Sequence, residues 1–379
     1  MDRLSTVVLR QPAESLYRDE LAALAEHDPY PKPPGWQLSP RAARAFILGT
    51  ARQTVAKWAG KKTKCATVIS KKFYGDDVLI DRCIVTLMGN RGLMLVGEPG
   101  TAKSMLSELL AASIGGVSTH TIQGTAGTTE DQIKYSWNYA LLLAEGPSLK
   151  ALVQAPLYVG MRAGLLVRFE EITRCPPEIQ DTLVSVLSEK VLLIPELDGE
   201  ERLLFAAPGF NVIATANIRD RGVHEMSSAL KRRFNFETVA PIRDLKMEVE
   251  LVSREAARLL EESQAPVACR PDVIELLVTT FQDLREGSTA EGIQVEKPTA
   301  VMSTAEAVAV AFSAGLDAFY YGDKTLEPTG VARHLAGTVM KDNPEDLKKL
   351  RHYFDTVVRK RAESGGLWDD YFKAKRTLG

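Results

Sequence analysis

The chain has 379 residues, enough for two domains, and its 45% hydrophobic and 25% charged residues give an ordinary globular balance. A formal net charge of -2 speaks against a nucleic-acid footprint spread over the whole chain. The cysteines (Cys65, Cys83, Cys175, Cys269) and histidines (His27, His120, His224, His334, His352) are scattered, with no Cys-x-x-Cys pair, so neither a zinc site nor a disulfide frame is indicated and a reducing cytoplasm is expected.

Residues 1–65 are expected to form an N-terminal extension with helices in it. The first residues lack the apolar core of a signal peptide and no apolar run reaches membrane-spanning length, so no membrane insertion is expected. Pro31-Lys-Pro-Pro-Gly35 is a stiff punctuator. Ser39-Pro40 then reads as an N-cap followed by proline at the first helical position, predicting a helix over 41–57. Two small basic clusters, 61–64 and Lys71-Lys72, match the pattern of solvated faces. A helix over 76–88 follows, with Val78, Ile80, Ile84 and Leu87 apolar.

Next comes Gly97-Glu98-Pro99-Gly100-Thr101-Ala102-Lys103-Ser104, between a short apolar strand (Leu93 to Val96) and an apolar helical pattern (Met105, Leu106, Leu109, Leu110). That layout is a phosphate-binding loop. Glycines let backbone N–H groups converge on phosphate oxygens, and the helix start adds the positive end of its dipole. Lys103 is placed to reach the terminal phosphates and Ser104 to ligate Mg²⁺. Ala102 stands where a second glycine usually precedes the lysine.

From here strands and helices alternate, predicting a parallel sheet with crossover helices. Candidate strands are 93–96, 119–123, 165–169, 210–214 and 236–239, with Asp198-Gly199 marking a hairpin between the third and fourth. The third strand ends in Glu170-Glu171, the arrangement in which one acid faces Mg²⁺ and the next polarises the attacking water. Arg174-Cys-Pro-Pro opens a helix whose buried face is Leu183, Val186 and Leu187. The fourth strand ends in Asn217, which can place an amide beside that water, and a short helix then ends in Arg232 and Arg233. Each of these features is common alone; their order and spacing behind a phosphate loop are not. After Pro241 the chain turns helical, with Leu245, Val249, Val252, Ala256 and Leu259 on one face and further helices over 271–285, 303–314 and 345–362.

These residues resemble the AAA+ ATPases and, within them, the MoxR family, over about 80–252. The marks are the 97–104 loop with its alanine before lysine, Glu170-Glu-Ile-Thr-Arg-Cys-Pro-Pro-Glu-Ile-Gln, Ala214-Thr-Ala-Asn217 and Leu230-Lys-Arg-Arg-Phe234. The resemblance implies an αβα core with a five-stranded parallel sheet at 66–242, followed by a helical lid and tail at 243–379. It implies ATP and Mg²⁺ as cofactors, with Lys103 and Ser104 as Walker A, Glu170 and Glu171 as Walker B, Asn217 as sensor 1 and Arg233 as the arginine finger. It also implies a homo-oligomeric, hexameric cytoplasmic ring remodelling protein partners, with a partner that carries a von Willebrand factor A domain rather than nucleic acid. The hairpin at Asp198-Gly199 corresponds to an extra hairpin before sensor 1, and 123–146 to an inserted second helix. The region 297–306, where relatives often carry a sensor 2 arginine, has none.

Overall fold

The computed structural model describes residues 10–60, 65–217, 223–341 and 343–378; the basic cluster at 61–64 lies outside them. The chain forms two compact units. The first comprises the described residues up to Gly97 and Lys103–Val239, the second Glu98–Ala102 and the described residues from Ala240 onward.

The first unit opens with four short helices, α1 (Ala13–Leu16), α2 (Arg18–His27), α3 (Pro40–Leu48) and α4 (Val55–Trp58). Ser39 caps α3, its hydroxyl accepting the Ala42 N–H at 3.2 Å with Pro40 at the first helical position. The helix stops at Leu48 instead of running to 57, because Gly49 takes φ 80 and turns the chain out. These helices share a core with α5 (Asp77–Met88) and α6 (Lys103–Gly115), in which Phe46, Ile47, Ile80, Leu106 and Leu110 are all fully buried. Glu108 on α6 pins the N-terminal segment, accepting from the Ala13 N–H at 3.0 Å and from Arg10 at 2.8 Å. Lys72 of the second basic cluster is not solvated. It is 3% exposed, donates to Glu20 at 2.5 Å and to the Phe46 carbonyl at 2.9 Å, and sits over two aromatic rings.

The sheet begins with β1 (Gly92–Gly97), running into α6, then β2 (Thr121–Gln123). An insertion follows: α7 (Glu130–Ile133), β3 (Tyr135–Trp137), α8 (Tyr139–Glu145), β4 (Leu152–Gln154) and α9 (Pro156–Ala163), with β3 and β4 antiparallel. Next come β5 (Leu166–Glu170), α10 (Pro177–Glu189), the ribbon of β6 (Val191–Leu193) and β7 (Leu203–Phe205), and β8 (Asn211–Asn217). After α11 (Ser228–Lys231), β9 (Phe234–Val239) closes the unit. The five-stranded sheet has the order β2-β5-β8-β1-β9 and is parallel throughout. All five expected strands are present. The expected hairpin is present too, but Asp198-Gly199 is not its two-residue turn: β6 and β7 pair Leu193 with Leu203, so the loop covers 194–202 and winds a 3₁₀ turn at Gly199–Arg202. Leu183, Val186 and Leu187 pack α10 onto one face of the sheet, as its proline-opened pattern requires.

The second unit is helical: α12 (Leu245–Glu262), α13 (Pro271–Glu286), α14 (Thr304–Tyr321), α15 (Pro328–Val339), α16 (Glu345–Tyr353), α17 (Arg359–Ala362) and α18 (Leu367–Lys373). A π-turn at Phe354–Val358 joins α16 to α17, so the helix expected over 345–362 runs unbroken. On α12 the buried positions are Val252, Ala256 and Leu260, with Glu248 buried among them. Glu248 accepts from Arg285 at 2.9 Å, Gln282 at 2.7 Å and Thr304 at 2.6 Å, so its charge is paired and its oxygens are satisfied.

Candidate active site

Because every strand of the large sheet runs the same way, their carboxyl ends meet along one edge, the usual place for a ligand in an open α/β sheet. Gly97 ends β1, Glu170 ends β5 and Asn217 ends β8, with Gly97 and Asn217 paired in register. Lys103 opens α6, is 7% exposed and donates to the Gly97 carbonyl at 3.2 Å. Beside it Ser104 is exposed, and its hydroxyl donates to Glu170 Oε2 at 2.7 Å. The helix start, Lys103 and the carboxylate of Glu170 therefore meet at this edge.

Glu170 is 5% exposed and saturated with donors. Oε2 also accepts from Thr215 at 2.8 Å, while Oε1 accepts from Ser107 at 2.6 Å and Arg168 at 2.8 Å. Burial pushes its pKa up, but the Arg168 cation and the hydroxyls of Ser107, Ser104 and Thr215 outweigh it and hold the carboxyl below its ordinary value. A hydroxyl and a carboxylate oxygen side by side are the hard oxygen donors that Mg²⁺ prefers. Among the described residues no group of three or more His, Cys, Asp or Glu side chains could cage a metal. A site of this kind suits an ion that brings nucleotide phosphates as its remaining ligands.

Glu171 stands one residue past the strand with φ 54. Its N–H donates to Thr215 Oγ1 at 3.0 Å and its carboxylate pairs with Arg174 at 2.5 Å. Gly124 passes so close that a Cβ there would lie 2.3 Å from the Glu171 carbonyl, which no side chain fits. Asn217 makes no side-chain hydrogen bond among the described residues.

The loop tip Glu98–Ala102 belongs to the second unit. Thr101 Oγ1 donates to the Glu98 carbonyl at 2.9 Å. Gly100 takes φ 75, and a Cβ on it would meet Ser303 Oγ at 2.3 Å. Ala102 takes φ 65, the left-handed conformation that glycine adopts freely and alanine does not. That is the physical reason a glycine usually holds this position. Ser303 and Glu306 form a capping box that starts α14 in the region 297–306.

Arg233 is elsewhere. Its carbonyl accepts the N–H of Gly92, at the start of β1, so it lies at the amino edge of the sheet. β1 rises about 3.3 Å per residue from there to Gly97, placing Arg233 on the order of 15 Å from the carboxyl edge. Its guanidinium donates to Ser188 Oγ at 2.8 Å and to the Ala229 carbonyl at 2.9 Å. The structure therefore brings together Gly97, Lys103, Ser104, Glu170, Glu171 and Asn217, and leaves Arg233 apart.

Four residues hold the acids in ways the motifs do not assign: Arg168, Ser107, Thr215 and Arg174. A signal for three of them was available. Arg168 and Thr215 each sit two positions from a strand end already singled out, and Ser107 follows Ser104 by one helical turn, so each faces the same way as its neighbour.

Among the described residues no helix is long and apolar enough to cross a membrane. The family described as AAA domain (dynein-related subfamily) matches residues 92–234, and the YehL-like AAA+ ATPase C-terminal domain matches residues 246–379. The Escherichia coli K12 protein named Uncharacterized protein YehL is 53% identical over 97% of this chain and 97% of its own length. An uncharacterized protein of Staphylococcus haemolyticus is 29% identical over 38% of this chain and 54% of its own. Among solved structures, NtrX from Brucella abortus in complex with ADP has 11% identity and a TM-score of 0.47, covering 81% of this chain and 70% of its own. The Thermotoga maritima RuvB Holliday junction branch migration motor has 14% identity and a TM-score of 0.43, covering 80% and 86%.

Proposed function

The chain belongs to the YehL-like AAA+ ATPases, and from that premise we propose that it is a MoxR-type ring ATPase that hydrolyses ATP to remodel protein partners. The observation that carries this reading is the division of the sheet: Lys103, Ser104, Glu170, Glu171 and Asn217 share the carboxyl edge, while Arg233 stands at the amino edge. Lys103 and the loop amides hold the terminal phosphates. Ser104 and Glu170 hold Mg²⁺, which supplies charge neutralisation when bound. Glu171 takes the proton of the attacking water, and Asn217 orients that water. A guanidinium that cannot reach its own phosphates serves a neighbouring copy, which makes hydrolysis a property of the assembled, hexameric ring. A cytoplasmic partner with a von Willebrand factor A domain is the proposed co-worker.

The test is phosphate release measured against protein concentration, with nucleotide binding followed alongside. Specific activity is expected to rise as rings form, and Lys103→Ala to weaken ATP binding by about a hundredfold, the scale of losing one charge from a buried charge pair. A dilute monomer with full activity, or unchanged affinity in Lys103→Ala, would overturn the reading.

One observation favours a slower second reading, a nucleotide-dependent switch with little turnover. Glu171 is paired with Arg174 and so partly neutralised in its own chain. Relief of that pair on assembly distinguishes motor from switch.

A further inference from the structure

Arg168 lies on β5 two residues before Glu170, so the strand's alternation puts both side chains on one face. Its side chain is only 10% exposed, and every guanidinium nitrogen is engaged. Nε donates to Ser107 Oγ at 2.9 Å. Nη1 donates to the Ser118 carbonyl at 3.1 Å and to Thr121 Oγ1 at 3.4 Å. Nη2 donates to the Ser104 carbonyl at 2.9 Å and to Glu170 Oε1 at 2.8 Å. Among the described residues Glu170 is the one carboxylate that Arg168 meets. Burying a guanidinium is costly, and an apolar residue fills a sheet position without that cost, so the charge calls for a purpose beyond packing. What it changes is the acid beside it: the pair carries no net charge, whereas Glu170 alone would present a full negative charge next to Ser104.

We propose that Arg168 is a positioning residue that sets how strongly nucleotide binding depends on Mg²⁺, by cancelling the charge of Glu170 and clamping its carboxylate between β5 and the first turn of α6. The inference rests on the reading of Ser104 and Glu170 as the magnesium side of a nucleotide site. It follows that the acid by itself attracts the ion weakly, and that the cation is held mainly when phosphates bring further negative charge. A purely structural strut would behave differently. Its loss would weaken binding equally with and without Mg²⁺, leaving the ratio of the two affinities where it was.

The experiment is a titration of a fluorescent ADP analogue in excess Mg²⁺ and in EDTA, for wild-type protein and for Arg168→Met, with folding checked by circular dichroism. The ratio of the affinity in Mg²⁺ to that in EDTA is expected to rise about tenfold in Arg168→Met, because the ion then meets an uncompensated carboxylate. Arg168→Lys keeps the charge and loses the fan of donors; its ratio is expected within about threefold of wild type. An unchanged ratio in folded Arg168→Met, or Arg168→Lys behaving like it, overturns the proposal. Should Arg168→Met not fold, Arg168→Gln takes its place, keeping amide donors for Glu170 while removing the charge. Its ratio is expected about tenfold above wild type for the same reason, and a ratio equal to wild type overturns the proposal. Wild-type protein that binds the analogue in neither buffer would instead bring down the nucleotide-site reading itself, a different result from binding with an unmoved ratio.

Discussion

At the carboxyl edge of the large sheet, side chains hold one another: Ser104, Ser107, Thr215 and Arg168 all donate to Glu170, and Lys103 reaches the Gly97 carbonyl. At the amino edge Arg233 donates, among the described residues, to Ser188 and the Ala229 carbonyl, and remains partly exposed. The first arrangement is pre-organised, its groups fixed before any ligand arrives, and so suits binding. The second is a partly exposed cation whose two acceptors among the described residues are neutral. A single chain therefore carries the residues proposed to bind nucleotide at one edge, and Arg233, proposed to serve turnover in a neighbouring copy, at the other.

The change that would do most to break this comparison is Arg233→Ala. Its ATP affinity should match wild type, while hydrolysis by assembled protein falls by about three to five orders of magnitude, the scale of an arginine finger. Mixing it with Glu171→Gln subunits should restore part of the turnover, since interfaces that pair an intact Glu171 with an intact Arg233 then reappear. A co-assembled mixture with no recovery would place the arginine in a structural role. Glu171→Gln alone tests the carboxyl edge. It keeps the shape, loses the charge proposed to take the water proton, and should lower hydrolysis by about two to four orders of magnitude with binding intact. If Glu171→Gln were nearly silent and Glu170→Gln the damaging change, the roles of the two acids at the end of β5 would be exchanged.

The same two edges show what the residues alone could tell. The strands were legible because a buried parallel strand is a short apolar run and each is punctuated by glycine, proline or a polar terminus, as in 93–96 and 210–214. The loop, the paired acids, Asn217 and Arg233 were legible as motifs. Their surroundings were not, because Arg168 and Arg174 take their meaning from partners that only folding supplies: a buried arginine on a strand has no periodicity of its own. Lys72 is a case of the same kind, since Lys71-Lys72 looks solvated until Glu20 and the Phe46 carbonyl close over it. In the second unit the repeat on α12 points to Leu259 where Leu260 is buried, and Glu248 has no signal of its own because a buried acid is intelligible only beside Arg285.

A smaller effect is expected at Arg174, whose pair with Glu171 neutralises part of the charge proposed to polarise water. Both side chains are partly exposed, 44% and 32%, so the pair is screened and contributes at most about 1 kcal/mol. Arg174→Ala should therefore raise steady-state phosphate release by about two- to fivefold at fixed ring concentration. A decrease would mean that the arginine serves the reaction instead of restraining it.

The smallest effect separates the loop's conformation from its chemistry. Ala102 at φ 65 is in the left-handed region, which costs a residue with a Cβ about 1–2 kcal/mol relative to the right-handed one. Glycine has no such cost, but it gains freedom in the unfolded chain, which offsets about 0.5–1 kcal/mol of the difference. Ala102→Gly should thus stabilise the ligand-free protein by about 0.5–1 kcal/mol and raise its melting temperature by about 2 °C. It leaves Lys103, Ser104 and the backbone donors in place, so ATP affinity should change by less than about threefold, a difference worth under 1 kcal/mol. Scanning fluorimetry with and without nucleotide reads both quantities from one sample. A melting temperature that falls would show that the unfolded-state entropy of glycine outweighs the relief. The alanine would then be a stabilising choice at this position, and the loop would hold its left-handed turn without strain.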